Sequence, residues 1–141
     1  MKDNTPSGFG HYPAHYFLWC HAIELSFKAY LILVGWQTER CRSTLGHDLS
    51  KAQRSVEEAS GTLALSEQAK AVVDVLSDMH SKSHTFRYRP QQMYSFPNQD
   101  ITRDATNEVV ACMEQLLIKT SAAQLVEWNE KNKDTWFGKS S

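Results

Sequence analysis

Between Phe17 and Val34 the chain reads FLWCHAIELSFKAYLILV, and fourteen of these eighteen positions are apolar. A helix that is hydrophobic nearly all round belongs in the middle of its domain. Pro13 suits the first turn of such a helix and Gly35 its end, so the pattern predicts a helix over 13–35. Asp48 is a good N-cap for LSKAQRSVEEAS, where Leu49, Ala52, Val56 and Ala59 keep a three-four rhythm up to Gly61. Ser66 predicts the start of a third helix, with Ala69, Val72, Val73, Leu76, Met79 and His80 on one stripe. From about Asp100 a long helix follows, with Val109, Cys112, Met113, Leu116 and Leu117 on its inner face. Residues 121–137 either continue it or form a further helix anchored by Leu125, Trp128, Trp136 and Phe137.

The connections are polar or irregular. Residues 36–46 are expected to hold a short helical turn, and 81–99, with two prolines, to be an irregular link. No stretch alternates apolar and polar residues for long enough to predict a strand. The expected fold is all-α, an up-down bundle of four to five helices. It comprises a flexible arm over 1–12, one domain over 13–137 and a tail over 138–141.

Composition narrows the partners more than the fold. The chain has 141 residues, enough for one domain with one core. A net charge of −1 gives no global field toward nucleic acid or anionic lipid, so any such binding must come from a local patch. The three cysteines include no CxxC pair, which favours a reducing compartment and a cytoplasmic location. The apolar run 17–34 carries His21, Glu24 and Lys28, which hydrocarbon penalises, so no membrane partner is expected.

Those three residues are the first candidate chemistry. Spacings of three and four put them on one face of the helix. Two readings stay open: a Glu24–Lys28 ion pair where the helix reaches the surface, or a stripe lining a cleft, with His21 and Lys28 facing an anion. In HTFRYRP, Arg87 and Tyr88 suit a phosphate or nucleotide site, or Arg87 pairs with Glu24 or Asp48. Lys82, Arg89, Phe86 and Tyr94 extend this segment into a basic, aromatic patch of the kind that binds single-stranded RNA. The pairs His11/His15 and His80/His84 have helical metal spacing but no third ligand nearby in sequence, so neither a metal nor a cofactor is expected.

Three stretches together, HAIELSFKAYLILVG (21–35), GHDLSKAQRSVEEASG (46–61) and HTFRYRP (84–90), resemble the HEPN domain family. The resemblance covers roughly residues 14–90. It implies a helical bundle, often homodimeric, with members among ribonuclease toxins, defence nucleases and nucleotide-binding modules. It also implies that His21, Glu24, Lys28, His47, Asp48, Arg87 and Tyr88 gather at one ligand site.

Active HEPN ribonucleases carry an Arg-x4–6-His motif that cleaves RNA without metal. Arg42 and His47 satisfy that count, and Arg40 with His47 its longer form. Histidine exchanges protons near neutral pH and arginine holds the charge on a reacting phosphate, so the residue types fit the chemistry. The family motif, however, lies on the last long helix, whereas this one precedes the second. Here Gly46 and Asp48 already have a structural explanation as a turn and an N-cap. The expected function is therefore a module that binds a nucleotide, RNA phosphate or other anion, in a prokaryotic defence or toxin–antitoxin setting. A metal-independent ribonuclease and a structural dimerisation domain are the alternatives.

Overall fold

The computed structural model describes residues 7–81 and 97–136, with side chains described over 14–81 and 97–135. These residues are helical with no strand among them. In chain order they form α1 (Ser7–Leu33), a single turn α2 (Thr38–Arg40), a π-helical turn (Cys41–Leu45), α3 (Leu49–Ser60), α4 (Glu67–Ser81) and α5 (Gln99–Trp136).

Local chemistry accounts for several boundaries. Asp48 accepts a hydrogen bond from the Lys51 amide at 2.9 Å and starts α3, while Gly61 ends it in the left-handed conformation at φ 81°. The Ser66 hydroxyl accepts from the Ala69 amide at 3.1 Å and starts α4. The Asn98 side chain does the same for Ile101 at the head of α5. The helix α1 begins at Ser7, six residues ahead of the start expected at Pro13, which shortens the arm expected over 1–12. Pro13 thus lies inside the helix rather than in its first turn, where it donates no amide to the turn before it.

The core lies where α1 meets α3, α4 and α5. Cys20, Ile23, Phe27 and Leu31 supply it from α1, Leu49 and Val56 from α3, Val73 and Leu76 from α4, and Val109 and Met113 from α5. The helix α1 is covered on most sides but not all round. Leu18, Leu25 and Ile32, seven residues apart, remain 63%, 61% and 47% exposed, so one apolar seam of the central helix faces outward.

Ion-pair and hydroxyl contacts set the directions. Lys70 with Glu57, and Ser50 with Asp74, hold α3 and α4 antiparallel. Tyr16 donates to the Pro97 carbonyl at one end of α1, and Gln124 donates to the Leu33 carbonyl at the other. The helices α1 and α5 therefore run in the same direction, which strict up-down alternation of four long helices does not give. The reason is the connection over 34–48, which doubles back along α1 instead of passing directly into the next helix. That return brings His47 opposite Glu24.

The helix α5 is continuous through the region where a break was left open. Its outer half is uncovered: Ile118, Leu125, Val126 and Trp128 are all at least half exposed. Among the described helices α5 alone is long and apolar enough, by length and composition, to cross a membrane, and 11% of its most apolar window is buried.

Candidate functional site

The site is built on Glu24, at the middle of α1. Its side chain is only 6% exposed, and a buried carboxylate needs partners. Three side chains reach it from three elements. Lys28, one turn along α1, donates to Oε2 at 2.7 Å. His80, at the end of α4, places Nε2 2.7 Å from Oε1. His47, just before α3, places Nδ1 3.1 Å from the same oxygen. Burial pushes the Glu24 carboxyl up, but the hydrogen bonds from His80, Lys28 and His47 outweigh it and hold the group down at about 2. Glu24 is a carboxylate at any physiological pH.

The π-helical turn delivers His47. Cys41 and Leu45 anchor the turn in the core, and Gly46 closes it at φ 54°, a left-handed conformation that a side chain would strain. The Gly46 carbonyl then points at α1 and accepts from Lys28 Nζ at 2.6 Å. With both Glu24 and Gly46 bonded, Lys28 ties the turn to the helix. It is not left unengaged, as the cleft reading of the sequence required.

His21 lies beside this network rather than in it. Its ring meets those of Phe17 and His80 edge-on, with centroids 4.7 and 5.7 Å away. Asp48 faces α4 and accepts from the Ser77 hydroxyl at 3.0 Å as well as from its own helix. These bonds hold its carboxyl below the usual range against the opposing effect of burial. Cys20, beneath the network, is pushed up to about 12 by burial and then by the charge on Glu24, so it is an unreactive thiol.

Beside the network lies a groove of about 620 Å³ lined by Leu25, Ala29, Ile32, Thr38 and Cys41, with Lys28, Arg42, Gly46 and His47 also on its walls. Arg42 is exposed and pairs with Glu39 on the preceding turn. Arg40 instead stacks over the Trp36 ring at 3.7 Å and does not line the groove. The floor is apolar and the basic groups stand along the walls, so the groove suits a ligand with a flat or apolar part and an anionic part.

Of the residues expected to meet, His21, Glu24, Lys28 and His47 come together. Asp48 adjoins them through the start of α3, and Arg42, paired with Glu39, lines the same groove as His47. Arg87 and Tyr88 lie outside the described residues, as do Lys82, His84, Phe86, Arg89 and Tyr94. Sequence reasoning weighed His80 only on the α4 stripe and beside His84, and missed its place against Glu24. Its signal was a histidine on the otherwise apolar stripe of α4, where its side chain is now 3% exposed.

No family model, curated protein or solved structure matches this chain. The resemblance to HEPN domains thus rests on the three quoted motifs and the helical class.

Proposed function

We propose that this chain is a HEPN-like helical module that binds a nucleotide or an RNA phosphate in the groove between α1 and the π-helical turn. What supports this reading is the common groove of Lys28, Arg42 and His47 over the apolar floor of Leu25, Ala29 and Ile32. A base would lie on the floor. Its phosphate would take the exposed guanidinium of Arg42, released from Glu39, and the half-exposed imidazole of His47. A defence or toxin–antitoxin role, suggested by the family resemblance, and a cytoplasmic location, suggested by the cysteine pattern, belong to the same proposal.

Fluorescence anisotropy with a labelled adenine nucleotide and a short single-stranded RNA tests it. Wild type should bind at least one of them. Arg42→Ala and His47→Ala should each weaken binding by roughly tenfold, the worth of one charge-assisted hydrogen bond. No binding in the low millimolar range, or variants that bind like wild type, would sink the proposal.

The same groove gives specific support to the ribonuclease reading, because Arg42 and His47 share it. Cleavage of the RNA in EDTA, abolished in both variants, would promote that reading above simple binding.

A homodimer completes the proposal. The outer face of α5, with Ile118, Leu125, Val126 and Trp128, offers apolar area of the kind that subunit interfaces cover. Light scattering should give twice the chain mass at micromolar concentration. A monomer at high micromolar concentration contradicts this part.

A further inference from the structure

We infer that Glu24, His47 and His80 form a binding site for one divalent transition-metal ion of the zinc class. The three offer Oε1, Nδ1 and Nε2, and these atoms lie within 4.8 Å of one another. They come from three separate elements, α1, the residue before α3 and the end of α4, so no local sequence spacing announces them. Two imidazoles and one carboxylate are the donor set of open, four-coordinate zinc sites, which keep their last position for water or a ligand.

The geometry asks for one inward movement, since the two histidine nitrogens, which lie within 4.8 Å of each other, must also meet at the ion. Neighbouring ligand atoms around tetrahedral zinc are about 3.3 Å apart, given bonds of about 2.0–2.1 Å. The present separations of 2.7 Å (His80 to Glu24) and 3.1 Å (His47 to Glu24) would open by a few tenths. His47, 54% exposed, is able to swing inward, while Glu24 and His80 are held by the core.

One detail of the network fits a metal beyond the donor count, and one opposes it. Lys28 occupies Oε2 and leaves Oε1 to the histidines, so the carboxylate is oriented from outside as metal-bound carboxylates usually are. His80 Nδ1 is buried without a hydrogen-bond partner. Metal binding at Nε2 would move the ring proton to Nδ1, where the network offers it no acceptor, so the second nitrogen of His80 is where the site costs most. The open position would face the groove that His47 lines, where a bound cation adds to the pull on an anion. The site stands whether or not the groove takes a nucleotide.

The test uses the full chain stripped of metal, with Zn²⁺ followed by calorimetry and Co²⁺ by its visible absorption. Wild type should bind one equivalent, with a Co²⁺ spectrum of tetrahedral intensity. His47→Ala should keep its helical circular dichroism and lose about 100-fold in affinity or more, the upper end of what even an outer partner of a metal is worth. His15→Ala, on the exposed side of α1, should bind as wild type does. Failure of wild type to bind Zn²⁺ would overturn the inference. So would equal affinity in His47→Ala, or an equal loss in His15→Ala, which would mark ordinary surface histidine binding.

Discussion

Replacing Glu24 with alanine is expected to lower the free energy of unfolding by about 2–4 kcal/mol, read from urea denaturation of metal-free protein. The magnitude follows from what the substitution strands. Lys28 loses its carboxylate and keeps only the Gly46 carbonyl, and His80 is left in the core with neither ring nitrogen bonded. A carboxyl held at about 2 rather than 4.5 also points to roughly 3 kcal/mol of preference for the ionised form. Because the folded value lies below the unfolded one, this contribution is fully present above about pH 4.5 and is lost as pH falls toward about 2. The stability gap between wild type and Glu24→Gln should therefore narrow over that acid range. A loss below about 0.5 kcal/mol for Glu24→Ala would mean the network is no more than a surface ion pair.

Phe27→Ala is expected to cost more, about 3–5 kcal/mol. Phe27 is completely buried and sits one turn from Glu24, on the face of α1 that meets the other long helices. Truncation removes the ring's burial and leaves a cavity that rigid helix backbones close only in part. The same denaturation measurement checks it. A cost near 1 kcal/mol would show that α1 is held elsewhere.

The fold was legible wherever a boundary depends on neighbouring residues. Asp48, Gly61 and Ser66 act within three or four positions of themselves, so the ends of α3 and the start of α4 could be read directly from side-chain chemistry. The stripe from Ala69 to His80 was legible for the same reason. Continuity of α5 was left open in the sequence: no glycine or proline interrupts 98–137, but beyond Ser121 no stripe facing the core carries the periodicity on. The uncovered seam on α1 was not legible. When nearly every position is apolar, periodicity cannot tell which side the bundle leaves open.

The site was half legible. Glu24 and Lys28 follow from helical spacing, and His47 from the GHDL turn beside them. His80 lies 56 residues from Glu24, and nothing local links them. Sequence reasoning assigned that partnership to Arg87 or left Glu24 with Lys28 alone. A buried carboxylate needs donors, but the sequence does not say which histidine or arginine the tertiary fold will bring.

The outer half of α5 behaves differently from the inner half it continues. From Ser121 to Lys131 every residue is exposed, so this stretch lacks the tertiary packing that sustains most helices of its length. Its amides should exchange with solvent far faster than those around Val109 and Met113, in the core. Whatever covers Ile118, Leu125, Val126 and Trp128 will slow that exchange. Deuterium uptake along this one helix thus becomes a built-in gauge of occupancy, with its own buried half as the internal standard.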